Sequence, residues 1–123
     1  MLSDQGANLA KRSVHRLRPS HDPVLSGKVH IVNEYVGGEL GFYSSHASNT
    51  MAIAIFLIVI LNCRYRWLSA MLLPWALFMS YTRVYLGVHY PGDLLTGMVA
   101  GGILGWLGAQ LCGYLLSLQK SSC

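Results

Sequence analysis

The chain has 123 residues, of which 53% are hydrophobic and only 11% are charged, with a formal net charge of +4. Soluble domains carry roughly 25% charged residues, so this composition favours lipid over water as the main solvent. The length allows a single domain. No basic run with interleaved aromatic residues is present, which argues against nucleic acid and favours a phosphate-bearing ligand or a membrane surface. The three cysteines are scattered without metal-ligand spacing and predict neither a disulfide framework nor a zinc site.

Residues 1–43 are polar to mixed and are predicted to lie at one face of a membrane as a surface helix and loops. The pattern predicts a helix from Asp4 to Arg18, stopped by Pro19. We interpret Arg12 and Arg16 near its end as contacts for lipid headgroups. Lys28 to Tyr35 has no clear period and is expected to be a short helix or coil.

Three apolar segments predict transmembrane helices over residues 44–62, 67–83 and 91–118. The first is about 28 Å long at roughly 1.5 Å per residue, close to the hydrocarbon core of a bilayer at about 30 Å. Ser44 or Ser45 is a suitable N-cap for it, and Pro74 is expected to kink the second helix without ending it. The predicted fold is therefore all-α, an integral-membrane helical bundle with an N-terminal helix and loop region at one membrane face. A soluble all-helical core is the alternative, disfavoured by the length of the segments and their lack of charge.

The third segment carries a small residue at every fourth position. Such a stripe allows two helix backbones to approach closely inside a membrane. We assign the stripe to packing and not to catalysis. Its members are Gly97, Gly101, Gly105, Ala109 and Gly113.

Threading the three helices brings the polar residues at their ends to one face. Lys11, Arg18 and Arg83 would supply three cations there, and the N-termini of two helices would point at the same place. Backbone N–H groups and helix dipoles favour an anion at such a point, above all phosphate. Arginine holds phosphoryl oxygens in a bidentate manner, and the Ser44 hydroxyl adds a further donor.

Two histidines complete a set of groups suited to phosphoryl transfer. His89 lies four positions before Asp93, which would orient the ring, so His89 is the candidate to attack phosphorus. His46 would protonate the departing oxygen and later activate water. This set needs no metal, and a phosphohistidine would be formed and hydrolysed. The plainer alternative is a salt bridge between Arg83 and Asp93, with His89 only capping a turn.

These residues resemble the signature of the type 2 phosphatidic acid phosphatase superfamily. That signature is Lys-x6-Arg-Pro, then Pro-Ser-Gly-His, then Ser-Arg-x5-His-x3-Asp. In this chain the first motif starts at Lys11, the second ends at His46, and the third starts at Thr82. Tyr43 and Ser45 replace the proline and glycine of the second motif, and Thr82 replaces the serine of the third.

The resemblance implies the same roles as the chemistry above, and it implies neither a metal nor a cofactor. The implied catalytic residues are His89, His46 and Asp93. The implied phosphate-binding residues are Lys11, Arg18 and Arg83, assisted by Ser44 and the backbone near Ser45. Residues 1–123 resemble the C-terminal catalytic half of a six-helix membrane enzyme, truncated at its N-terminus. The expected partners are therefore a lipid phosphate, membrane lipids, and either the missing N-terminal helices or a second copy of the chain.

The motifs recognise phosphate and do not identify the lipid tail. By resemblance to short bacterial members, undecaprenyl diphosphate or a similar polyprenyl carrier is the leading substrate. Lipid A, phosphatidylglycerophosphate and phosphatidate are the competing substrates, and a non-catalytic membrane fragment or assembly subunit is the competing class. Arg64, Arg66 and Lys120 favour the cytoplasmic side by the positive-inside rule, although the opposite face also carries basic residues. Chiefly the family resemblance implies that the site lies on the extracytoplasmic face of a bacterial inner membrane.

Overall fold

The computed structural model describes residues 2–23, 38–61 and 65–121. In these ranges the chain forms four α-helices and one short 3-10 helix, and it contains no strand beyond an isolated bridge between Leu17 and Leu40. The all-α prediction is confirmed for the described residues. The helices are α1 (Leu2–Val14), α2 (Ser45–Leu61), α3 (Arg66–Tyr85) and α4 (Pro91–Ser121), with the 3-10 helix at Pro19–His21.

The three apolar segments form helices close to their predicted bounds. Helix α3 runs through Pro74 without ending, and Pro91 is the first residue of α4, where its fixed φ suits a helix start and no donor is lost. The stretch from Lys28 to Tyr35, predicted as short helix or coil, lies outside the described residues.

The predicted helix from Asp4 to Arg18 ends earlier, at Val14. His15 takes a left-handed conformation with φ of 47°, and its N–H donates to the Lys11 carbonyl at 3.1 Å, which closes the helix end. The chain then runs extended beside residues 39–41. Gly41 N–H donates to the Arg16 carbonyl at 2.8 Å, and Arg18 N–H donates to the Glu39 carbonyl at 3.0 Å. This pairing between distant segments outweighs the local tendency to continue the helix.

Helix α2 lies in the middle of the bundle, packed against α4 on one side and α3 on the other. Along the α2–α4 contact the helix backbones touch. A Cβ added at Gly97 would lie 2.7 Å from the Ser44 carbonyl oxygen, and one at Gly101 or Gly105 would be closer still to the backbone of α2. The predicted packing role is confirmed for these glycines. At Gly113 an added Cβ would meet no described atom within 4 Å, so a packing role there stays a prediction.

One described helix segment, Pro91–Gln119, is long and apolar enough to span a membrane, with a mean hydropathy of 1.4. Ser45–Leu61 is a shorter apolar helix. The outer faces of α3 and α4 expose many large apolar side chains, for example Phe78 at 64% and Leu95 at 61% of their full areas. Apolar surface on this scale indicates a membrane or a partner instead of water.

Candidate active site

The polar ends of the helices surround a pocket of about 90 Å³. A small pocket of this kind suits a phosphoryl group. The pocket is built from α1, the extended segment that follows it, the start of α2, the end of α3 and the link between α3 and α4. Its lining residues are Lys11, Arg18, Ser45, His46, Arg83, Val88 and His89.

The three predicted cations all line this pocket. Lys11 Nζ donates to Ser45 Oγ at 3.2 Å, and Arg18 Nε donates to the Leu40 carbonyl at 3.2 Å. Arg83 Nε is buried and has no hydrogen-bond partner within the described parts of the chain. A buried donor without an acceptor is costly, so this part of the pocket wall is suited to receive an anionic oxygen.

The two serines of the second motif have different positions. Ser44 is fully buried and does not line the pocket; its Oγ accepts a bond from the Ala47 N–H at 3.4 Å, as an N-cap does. Ser45, in contrast, lines the pocket. We expected the Ser44 hydroxyl to assist phosphate binding, but the hydroxyl at the pocket belongs to Ser45. The backbone N–H of Ser44 donates to the Asp93 carbonyl at 3.1 Å, which joins the start of α2 to the start of α4.

His89 is held in the link between α3 and α4, where Gly87 has a φ of 69° that side chains rarely tolerate. The ring is buried, with 6% of its area exposed. Its Nδ1 lies 3.9 Å from Asp93 Oδ2, too far for a hydrogen bond. Catalytic hydrogen bonds are often long before substrate binds. The predicted pairing with Asp93 is thus present as a close approach, and Nδ1 has no hydrogen-bond partner that meets distance and angle limits within the described ranges.

The pKa of His89 is lowered from 6.5 to about 4. Burial is the largest cause, followed by the positive charges of Arg18 and Lys11. His89 is therefore neutral at pH 7 and keeps a lone pair, which a nucleophile requires. His46 lines the same pocket but is exposed to solvent, a suitable place for a group that exchanges protons.

Asp93 is fully buried and does not form the salt bridge with Arg83 that the plainer alternative required. Its Oδ2 accepts a hydrogen bond from the Tyr90 N–H at 3.2 Å, so this third residue of α4 also caps the helix start. Its Oδ1 pairs with Arg16 Nη1 at 3.2 Å. Sequence reasoning missed Arg16, which we had placed among the lipid headgroups.

A signal for Arg16 was present in the sequence, but it depends on where α1 ends. In a helix, residues two positions apart do not face each other, so the predicted helix placed Arg16 and Arg18 on different faces. In extended chain, such residues share a face. Because the helix ends at Val14, both arginines are available to the site.

The described residues contain no group of three or more His, Cys, Asp or Glu side chains that could hold a metal ion. Cations and histidines dominate the lining of the pocket. Such a set binds an anion directly through charge-assisted hydrogen bonds.

Known proteins resemble this chain along most of its length. The model of the PAP2 superfamily matches residues 1–116. The lipid A 4'-phosphatase of Bacteroides thetaiotaomicron is 50% identical over 108 residues, which cover 86% of this chain and 47% of that protein. The lipid A 4'-phosphatase of Porphyromonas gingivalis is 34% identical over 127 residues, covering 89% and 52%.

A third relative carries a different substrate in its name. The putative undecaprenyl-diphosphatase YbjG of Escherichia coli is 37% identical over 71 residues, covering 57% of this chain and 33% of that protein. The chain spans about half the length of the first two of these relatives. No solved structure matches it.

Proposed function

The chain belongs to the PAP2 superfamily, and on that premise we propose that it hydrolyses a phosphate ester of a lipid A-type glycolipid through a phosphohistidine. The observation that carries this proposal is the pocket in which three cations surround a buried, neutral histidine. A phosphoryl group matches the charge and size of that pocket, and the names of the relatives support a lipid as the molecule that carries it.

In the proposed first step, the ring nitrogen of His89 remote from Asp93 attacks phosphorus. A nitrogen–phosphorus bond forms as the bond from phosphorus to the lipid oxygen breaks. His46 gives its proton to that oxygen, which leaves as an alcohol. Lys11, Arg18 and Arg83 neutralise the charge on the remaining phosphoryl oxygens, the main requirement of this transition state.

In the second step, neutral His46 takes a proton from water as the water attacks the phosphohistidine. The nitrogen–phosphorus bond breaks, inorganic phosphate leaves, and His89 and His46 regain their starting states. Asp93 offers a negative charge to the Nδ1 side of His89 while the ring carries positive charge. No group outside the described pocket and water is needed for the balance.

The substrate order predicted from the sequence needs revision. Undecaprenyl diphosphate was the leading candidate and lipid A a competitor. The relative with 50% identity and the longer matched share of this chain is a lipid A 4'-phosphatase, whereas the undecaprenyl-diphosphatase relative matches a shorter stretch. Lipid A therefore takes the leading place.

We also propose that α2, α3 and α4 all cross the membrane, with the pocket on the extracytoplasmic side. The apolar lengths and exposed outer faces of these helices support three crossings. The two lipid A phosphatase relatives are bacterial, which supports the inner membrane of a bacterial cell. Arg66 at the start of α3, opposite the pocket, supports the orientation.

The test is phosphate release by the purified protein in detergent from lipid A and from undecaprenyl diphosphate, in the presence of EDTA. We expect release from lipid A, and a fall of more than about 1000-fold in His89→Ala and of about 100-fold in His46→Ala. His21→Ala is the matched control, because His21 bonds with Ser20 and lies outside the pocket lining.

Radiolabelled substrate adds a direct readout of the intermediate. The wild type should carry an acid-labile, base-stable phosphoryl group, and His89→Ala should carry none. Release that survives in His89→Ala would overturn the mechanism. Release only from undecaprenyl diphosphate would overturn the substrate, and folded protein that releases phosphate from neither lipid would overturn the activity in favour of a non-catalytic membrane protein.

A further inference from the structure

The Asp93 carboxylate is shared among three neighbours. It is fully buried, and a buried carboxylate is costly unless it is paired. One oxygen accepts the Tyr90 N–H and faces His89, and the other accepts Arg16. The ion pair with Arg16, at 3.2 Å, is shorter than the approach to His89 at 3.9 Å.

Contacts with Tyr90 and Gly41 hold Arg16 in place. Its guanidinium carbon lies 4.5 Å from the centre of the Tyr90 ring, within the range of a cation–π contact. The Tyr90 hydroxyl in turn donates to Asp22 Oδ2 at 3.0 Å. The extended segment after α1 fixes the Arg16 backbone through the Gly41 N–H. A side chain that only met lipid headgroups would need none of these contacts.

We propose that Arg16 is a positioning residue for phosphoryl transfer, holding Asp93 at a fixed place behind His89 and sharing its charge. This inference rests on the proposed function, since it assigns Arg16 a part in the same reaction. Arg16 touches neither the pocket nor the reacting atoms; it acts through Asp93.

The charges around the two groups define what Arg16 does. His89 meets Lys11, Arg18, Arg83 and His46 around the pocket, with Asp93 behind it. Asp93 meets Arg16 and His89. While Arg16 is paired with Asp93, it neutralises part of the negative charge of the carboxylate on the side away from His89. The ring, which burial and the charges of Arg18 and Lys11 keep neutral before attack, still has an anion behind it when positive charge develops.

Losing Arg16 should have two consequences. Asp93 becomes free to turn its charge wholly towards His89, which favours the protonated ring and raises the pKa of His89. The His89 ring also loses a carboxylate at a fixed position behind it, and a small displacement of a reacting group lowers the rate strongly. Because Arg16 lies outside the pocket lining, substrate binding should change little.

The kinetic test compares Arg16→Ala and Arg16→Lys with Arg12→Ala in the purified protein, using lipid A. Arg12 is the matched control because it is an exposed cation four positions before Arg16 in the chain. For Arg16→Ala we expect kcat to fall about tenfold with KM changed less than about twofold. Arg16→Lys keeps the positive charge but lacks the planar guanidinium with its several donors. It should recover about half of the lost rate on a logarithmic scale.

A second readout needs no enzymatic activity. In protein with isotope-labelled histidine, NMR should follow the titration of His89, identified by its loss in His89→Ala. We expect Arg16→Ala to raise the pKa of His89 by about one unit and Arg12→Ala to leave it in place. Both variants are first compared with wild type by gel filtration and thermal unfolding.

The outcomes separate the two proposals. If wild type releases no phosphate but Arg16→Ala still raises the pKa of His89, the charge sharing stands and the proposed function falls. If Arg16→Ala and Arg12→Ala give the same kcat and the same His89 titration, the positioning role is overturned. It is also overturned if Arg16→Lys titrates His89 as Arg16→Ala does, since a positive charge would then make no difference.

Discussion

His89 separates two regions that are built in opposite ways. On its pocket side, Lys11, Arg18 and Arg83 bring positive charge around a cavity. On its carboxylate side, Asp93, Arg16, Tyr90 and Asp22 form a chain of contacts in which positive and negative groups meet directly. We use pocket side and carboxylate side for these two sets.

The difference concerns which groups are already satisfied. The pocket side keeps a buried Arg83 nitrogen without a hydrogen-bond partner in the described residues, so this donor is suited to an anionic oxygen. On the carboxylate side both oxygens of Asp93 accept hydrogen bonds before any ligand arrives. Under the proposed function, the pocket side would bind the phosphoryl group, whereas the carboxylate side would fix the position of His89 in advance, which is the preorganisation that catalysis of this type needs.

Among the variants of the two sides, the largest effect is expected from Arg83→Ala on the pocket side. This change removes the donor that has no partner, so phosphate binding and transition-state stabilisation should both weaken, lowering kcat/KM by about 1000-fold. Phosphate release from lipid A measures it. Arg66→Ala is the control, because Arg66 is an exposed cation at the other end of the same helix. Equal kcat/KM values for the two variants would show that the pocket is not the phosphate site.

A smaller effect, about 100-fold in kcat, is expected from Asp93→Asn on the carboxylate side. The amide keeps the size of the side chain and can still accept from the Tyr90 N–H, but it removes the negative charge behind His89. KM should change much less than kcat, which distinguishes this side from the pocket side. Asp22→Asn is the control, because Asp22 lies at the far end of the same chain of contacts. A rise in KM without a fall in kcat would contradict the assignment of phosphate binding to the pocket side and of positioning to the carboxylate side.

The residues on the two sides were not equally accessible to sequence reasoning. The motif spacing predicted Lys11, Arg18, Arg83 and both histidines, because these residues follow from a resemblance, and the apolar segments and the glycines at Gly97 to Gly105 predicted the bundle. The spacing did not reveal Arg16. Its role depends on the left-handed turn at His15, where a local helical pattern gives way to pairing with residues far along the chain.

The two serines of the second motif also have roles that depend on tertiary contacts, here between neighbouring residues. Both Ser44 and Ser45 are good N-caps, and sequence alone does not say which hydroxyl faces inward. The close contact of α2 with Gly97 decides it, since the Ser44 carbonyl lies against α4. Tertiary packing thus settled what capping preference left open.

The pH dependence offers a finer test of the pocket side. The positive charge of Lys11 is one cause of the lowered pKa of His89, about 4 against 6.5. Since attack needs the neutral ring, kcat/KM should hold as pH falls and decline only near pH 4. In Lys11→Ala the pKa rises, so the decline should begin at a higher pH, by about half a unit to one unit.

Lys11→Ala would also lose the proposed phosphate contact, so the pH at which the rate declines is the informative quantity and the overall rate is not. Arg12→Ala is the control, an exposed cation next in sequence, and it should leave that pH unchanged. A decline that moves to lower pH in Lys11→Ala would have the wrong sign for a cation acting on His89.

The smallest effect is expected from Tyr90→Phe, which removes the contact of the carboxylate side that lies farthest from His89. The ring under Arg16 remains and only the hydrogen bond to Asp22, at 3.0 Å, is lost. Because this bond is partly exposed, we expect about 1 kcal/mol less stability in thermal unfolding and a fall in kcat of no more than about twofold. Tyr81→Phe is the control, as Tyr81 is 61% exposed. If Tyr90→Phe instead lowered kcat as much as Asp93→Asn, the hydroxyl would act in the reaction itself, and the carboxylate side could no longer be described as a support that fixes geometry in advance.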